Sequence, residues 1–190
     1  MKTYTIIGGV NGVGKSSLTG VLRQTQADLG MIVDVDRITA SLGGNALAGG
    51  REAICRIEQY LSKGISFTQE TTLSGLRTER TAQRARELGY CVRLHYVGLD
   101  TAEESIARIA NRVRRGGHNI ASEDVQRRFA ERWEAVARIL PYCESASFYD
   151  NDNGFICVAE YRNGQLQCLG SYRPHWICEL EAYLRGVTAC

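Results

Sequence analysis

The stretch TYTIIGGVNGVGKSSLTGVL, residues 3–22, decides the reading of this chain. Thr3 to Gly8 is a short β-branched and aromatic run, and from Lys15 to Gln26 the apolar residues Leu18, Val21 and Leu22 recur at helical spacing, which predicts strand, glycine-rich turn, helix. Between them Gly9-Val10-Asn11-Gly12-Val13-Gly14-Lys15-Ser16 matches G-x-x-x-x-G-K-[ST] at every position, in the strand-to-helix context that gives the pattern its meaning. Glycines there let successive N–H groups turn toward phosphate oxygens, and the helix start adds its positive dipole end. The expected ligand is a nucleoside triphosphate, ATP or GTP, with magnesium. Gly9, Asn11, Gly12, Val13, Gly14, Lys15, Ser16 and Ser17 form the cradle, Lys15 reaches the β- and γ-phosphates, and Ser16 ligates Mg²⁺.

Outward from this loop the chain keeps alternating. Met31 to Val35 reads as a second strand, Arg51 to Lys63 as a helix, Ile65 to Gln69 as a third strand, Arg77 to Leu88 as a helix and Cys91 to Leu99 as a fourth strand. Strands that alternate with helices need crossover connections, hence a mostly parallel sheet with helices on both faces. The fold class is α/β, a three-layer P-loop NTPase or kinase fold. Ala102 to Arg115 and Ser122 to Leu140 follow as two helices joined by Gly116-Gly117-His118, and Ser147 to Tyr149 as a further strand. Phe155 to Tyr161 and Gln165 to Leu169 flank Asn163-Gly164, a favoured pair for a two-residue hairpin turn, and Pro174 to Leu184 predicts a last helix. With 190 residues the chain is expected to be one domain, its core over 1–151, a lid about 103–135, and a hairpin and helix over 152–190.

A net charge of +2 gives no global field for nucleic acid or a membrane surface. Seven cysteines without a C-x-x-C pair suggest neither a disulfide framework nor a zinc site. MKTYTIIGGV is too short an apolar start for a signal peptide and no run is long enough to span a bilayer, so the expected location is the cytoplasm and no membrane partner is expected.

A phosphate loop does not choose among kinases, switches and motors, so the acids at other strand ends carry the next step. Asp34 and Asp36 close MIVDVD, and with strand period they face one side; either carboxylate could take the proton of an attacking hydroxyl. Glu70, Thr71 and Thr72 end the third strand with groups suited to a metal's water shell or a polar substrate. Asp100 reads as a cap of the helix that follows it. Eight arginines crowd Arg108 to Arg138 against four acids; Arg108 and Arg112 share a helical face with Arg115 nearby, as in a lid that folds over phosphates. His118 has no companion at metal-ligand spacing and reads as a turn residue contacting phosphate or substrate. Phe129 and Trp133 are expected on one core-facing side, which disfavours a nucleic-acid role for the neighbouring arginines.

GGVNGVGKSS, VDVDRI, QETTLSG, GYCVRLHYVGL, RIANRVRRGGHNIASEDVQRRF and FYDN occur in this order between about Lys2 and Asn151, and the set resembles the zeta toxin family. The resemblance implies ATP-dependent phosphorylation of a sugar nucleotide, such as the 3′-hydroxyl of the N-acetylglucosamine unit in UDP-N-acetylglucosamine. It implies Lys15 and Ser16 on ATP and Mg²⁺, Asp36 as the base, Glu70, Thr71 and Thr72 on the sugar nucleotide, and Arg112 and Arg128 as catalytic lid arginines. A separate antitoxin protein is the implied partner. Ala121 stands where the family usually has proline, and the chain from Phe155 onward lies outside the matched part. Rival readings are a metabolic kinase of shikimate or gluconate type and a nucleotide-gated regulatory ATPase.

Overall fold

A computed structural model describes residues 1–25, 28–117, 119–152 and 154–186. Its centre is β1 (Thr3–Gly8), whose buried Tyr4 and Ile6 face one side of the sheet and Ile7 the other. β1 pairs in parallel with β3 (Phe67–Thr71) and β4 (Cys91–Val97), β2 (Met31–Val33) lies beyond β3, and β5 (Ser145–Asp150) beyond β4. The hairpin of β6 (Ile156–Arg162) and β7 (Gln165–Cys168) then continues the same sheet antiparallel, giving the order β2-β3-β1-β4-β5-β6-β7. Its turn residues Asn163 and Gly164 both have positive φ, 52° and 80°, the backbone a two-residue hairpin needs to match strand twist.

Helices cover the sheet unequally. α3 (Ala46–Lys63), α4 (Arg77–Glu87), α7 (Arg132–Ile139) and α8 (His175–Leu184) supply buried side chains to one core, including Ile57, Ala82, Val136 and Trp176. On the other face α1 (Lys15–Thr25) sends Leu18 and Leu22 into a smaller core with Ile7 and Val97. Among the described residues no helix is long and apolar enough to cross a membrane.

Three expectations change. β2 stops at Val33, because Asp34 caps α2 (Val35–Ser41) by accepting the Arg37 N–H at 3.1 Å, so strand period does not govern Asp34 and Asp36. α3 begins at Ala46 rather than Arg51: Asn45 caps it, and Gly49 allows an approach in which a Cβ would meet Thr39 Oγ1 at 2.0 Å. The helix expected over 122–140 is divided by a turn at Glu131 into α6 (Ser122–Ala130) and α7, with Arg132 folded back to donate to the Phe129 carbonyl at 2.6 Å. The break separates the aromatic pair: Trp133 joins the larger core and Phe129 packs against the smaller one.

Candidate active site

The phosphate loop runs from β1 into α1 through Gly9, Gly12 and Gly14, with φ of 144°, 78° and 100°. At Gly12 a side chain would also collide, its Cβ lying 2.9 Å from the Ser105 carbonyl oxygen. Glycine is therefore demanded twice there, by conformation and by space. Three contacts strap the loop from distant parts of the chain. Ser105 of α5 (Ala102–Arg114) donates to the Asn11 carbonyl at 2.5 Å, Asn151 donates to the Val13 carbonyl at 2.9 Å, and Arg128 of α6 donates to Asn11 Oδ1 at 2.8 Å.

A cavity of about 480 Å³ opens above the loop. Its floor is Asn11, Gly12, Gly14 and Lys15 to Ser17; Asp34, Asp36 and Glu70 to Thr72 form one wall, and Arg108, Arg112 and Arg128 the other. The expected site thus converges almost entirely. Val13 turns into the core, fully buried, and Gly9 lies beneath the loop against the Val97 carbonyl, so neither lines the cavity. Arg115, which caps the end of α5, lines a neighbouring crevice instead. His118 lies outside the described residues.

The cations are placed for an anion. Lys15 Nζ donates to the Gly9 and Val10 carbonyls at 2.9 and 3.0 Å, and burial pushes its ammonium down to about 8, against the attraction of Glu70 and Asp36. Arg128 Nε is buried with no hydrogen-bond partner, which is costly unless something negative arrives. Nucleotide phosphates fit these donors and the glycine cradle. Among the described residues no group of three or more His, Cys, Asp or Glu could cage a metal. The chemistry present suits a cation held by the Ser16 hydroxyl together with phosphate oxygens.

The acidic wall is differentiated. Asp34 is occupied as the α2 cap, whereas Asp36 sits in the first turn of α2, exposed at the cavity. Glu70 accepts from the Ser16 hydroxyl and the Thr19 hydroxyl, both at 2.7 Å. That puts it at the Lys15–Ser16 end, where the resemblance had implied only sugar-nucleotide contact. Thr71 bonds to Thr78 and the Leu73 N–H, and Thr72 to Ser74, in a turn where buried Leu73 has φ 62°. A left-handed, branched, buried residue is strained, so its burial and the Thr71, Thr78 and Ser74 hydrogen bonds must hold this turn's shape beside the cavity.

Thr19, Ser105, Asn151 and Leu73 escaped the sequence reading. Thr19 carried a usable signal, lying three residues after Ser16 on one helical face. Ser105 and Asn151 act across 94 and 138 residues, and Leu73 through the left-handed backbone of its own turn, which its residue type does not announce.

No family model matches the chain. It is 33% identical over 126 residues, 64% of its length and 88% of the relative's, to an uncharacterized protein of Haemophilus influenzae. The chain belongs to the same family as this protein. Among solved structures it is similar to one from the PezAT chromosomal toxin-antitoxin system of Streptococcus pneumoniae, with a TM-score of 0.68, 16% identity, and 98% and 85% of the two chains covered. It is also similar to the AvrRxo1-ORF1:-ORF2 complex with ATP, at TM-score 0.62 and 18% identity, covering 88% of this chain and 60% of the other. A putative kinase from Chloroflexus aurantiacus matches at TM-score 0.52 and 18% identity over 67% and 79% of the chains. The fold is zeta-toxin-like, a P-loop kinase fold.

Proposed function

We propose that this family member is an ATP-dependent phosphotransferase that moves the γ-phosphoryl group to a hydroxyl of a sugar nucleotide, such as the 3′-hydroxyl of UDP-N-acetylglucosamine. One observation carries the reading: a single cavity joins the phosphate loop, an exposed carboxylate, Asp36, and three arginines from α5 and α6. In a regulatory ATPase the same carboxylate would serve water, so the identity of the acceptor separates the two readings.

Lys15 and the loop N–H groups hold the β- and γ-phosphates, and Ser16 holds Mg²⁺, which when bound shields charge on the phosphate oxygens. Asp36 accepts the proton as the acceptor oxygen bonds to the γ-phosphorus; the bond from that phosphorus to the β–γ bridging oxygen breaks, and ADP leaves. Arg112 and Arg128 balance the charge on the moving group. For Arg128 this exchanges an amide partner, Asn11, for an anionic one. Thr71 and Thr72 present hydroxyls on the acceptor side, and His118 belongs to the same proposal. The PezAT and AvrRxo1 complexes support a separate antitoxin-like protein partner.

The test is mass spectrometry of purified protein with ATP, Mg²⁺ and UDP-N-acetylglucosamine. The expected product is the acceptor heavier by one phosphoryl group, made by wild type and not by Lys15→Ala. ADP release that is the same with and without the sugar nucleotide overturns this acceptor and favours the ATPase; a product from another acceptor in a panel of polar metabolites favours the metabolic kinase.

A further inference from the structure

Glu70 is gripped by both carboxylate oxygens from one helix. Ser16 donates to Oε2 and Thr19, three residues on along α1, donates to Oε1, each at 2.7 Å. A serine hydroxyl has one hydrogen and two lone pairs. With the hydrogen committed to Glu70, what Ser16 has left for the cavity is acceptor capacity, the form in which a hydroxyl binds a cation. If Glu70 turned away, the Ser16 hydrogen would be free to point at the cavity and oppose one.

Among the described residues the hydrogen bonds to the Glu70 carboxylate come from α1 and not from β3, and beside Ser16 the donor is Thr19. Thr19 is 5% exposed, and its one hydroxyl hydrogen has two acceptors in reach, Glu70 Oε1 at 2.7 Å and the Lys15 carbonyl at 3.1 Å, of which the charged and nearer carboxylate is the stronger. The buried hydroxyl thus gives its hydrogen mainly to a carboxylate that could otherwise change rotamer. The same carboxylate is the strongest attraction on the Lys15 ammonium.

We infer that Thr19 is a positioning residue for the divalent cation: it locks Glu70 onto the Ser16 hydrogen, so the Ser16 oxygen is preset as a ligand with a negative charge beside it. Thr19 itself touches neither phosphate nor metal. The inference rests on the reading of the cavity as a nucleotide–magnesium site, and it moves Glu70 from the acceptor to the cation.

The test uses the full chain with a non-hydrolysable ATP analogue and Mn²⁺ as a paramagnetic substitute for Mg²⁺, with free Mn²⁺ followed by electron paramagnetic resonance. Thr19→Val keeps the buried shape and removes the donor. It should weaken Mn²⁺ binding to the protein–nucleotide complex about tenfold, the scale seen when outer partners of metal ligands are lost. Analogue affinity in EDTA should stay within about twofold on the same reasoning, and Thr19→Ser should restore the metal. In a Glu70→Gln background Thr19→Val should add nothing, because the two residues act as one. Should the valine variant not fold, Thr19→Ala against Thr19→Ser makes the same comparison. Unchanged Mn²⁺ affinity on loss of the hydroxyl, or failure of serine to restore it, overturns the inference and leaves the kinase reading standing. Wild type that binds no analogue overturns both.

Discussion

Glu70 and Asp150 lie toward the carboxyl ends of two parallel strands of one sheet, β3 and β5, and in the sequence they look alike, an acid near the end of a strand. Their partners divide them. Glu70 accepts hydrogen bonds from two hydroxyls of α1 and stays at the wall of the cavity. Asp150 is 4% exposed and accepts from the Trp176 indole N–H at 2.9 Å, the Tyr172 hydroxyl at 3.2 Å and the Asp152 N–H at 3.3 Å. Asp100, after β4, accepts the Trp176 main-chain N–H at 2.8 Å. These two acids fasten α8 to the sheet, so a strand-end carboxylate serves chemistry or architecture according to what the third dimension sets against it.

The comparison breaks most sharply on the cavity side. Asp36→Asn should lower phosphoryl transfer by about 10²–10⁴-fold, the span of general-base effects, with a melting temperature within about 2 °C of wild type. Activity retained with a lowered melting temperature would make Asp36 an architectural acid like Asp150. On the other side, Asp150→Ala strands a buried indole N–H and costs roughly 3 kcal/mol, about 10 °C in melting temperature. Nucleotide affinity, measured by titration calorimetry, should not move.

Two titrations sharpen the contrast. His95 is 6% exposed beside Tyr149, and burial pushes it down to about 4 from 6.5. The unfolded chain therefore takes up the proton first as pH falls, so stability is whole above 6.5 and is lost between 6.5 and about 4. The loss approaches about 3 kcal/mol by denaturant titration, and His95→Gln should flatten it. Lys15, lowered to about 8, is half neutral there in the free protein. Phosphates bind the ammonium, so nucleotide affinity should fall as pH climbs through 8, by up to about tenfold per pH unit, with proton uptake seen in calorimetry across buffers. Lys15→Arg should abolish that uptake.

The smallest effect is expected beside Asp150. Asp152 pairs with Arg108 at 2.9 Å, but the side chains are 48% and 30% exposed. Asp152→Ala should change stability by less than about 1 kcal/mol. A larger loss would extend the architectural cluster out to the lid.

Legibility followed the range of the interactions. The loop from Gly9 to Ser16 and the Asn163-Gly164 turn are set by φ and by neighbours within a few residues, so they were read directly, whereas the cap expected at Asp100 falls on Thr101, which accepts the Glu104 N–H, and Asp100 reaches Trp176 instead. The lid arginines were found from spacing along α5, but Arg115 faces the next crevice, because a helix end sets which of several arginines looks inward. Where α3 begins was hidden by Gly49-Gly50, which lower helix propensity; the benefit, close approach to Thr39, is a contact between elements. Asp34 and Asp36 do share the cavity wall, but through the cap and first turn of α2 and not through strand period, because the strand ends at Val33.

The sequence by itself determined the alternation of strands and helices, the phosphate loop and the set of acids and arginines from which a site could be drawn. Only the tertiary structure decided which acid meets which donor. Glu70 reaches Thr19 across 51 residues, Arg128 reaches Asn11 across 117 and Asn151 reaches Val13 across 138. Pairings at such separations depend on strand order and on the packing of α1, α5 and α6 about β1, and no local preference of the chain encodes them.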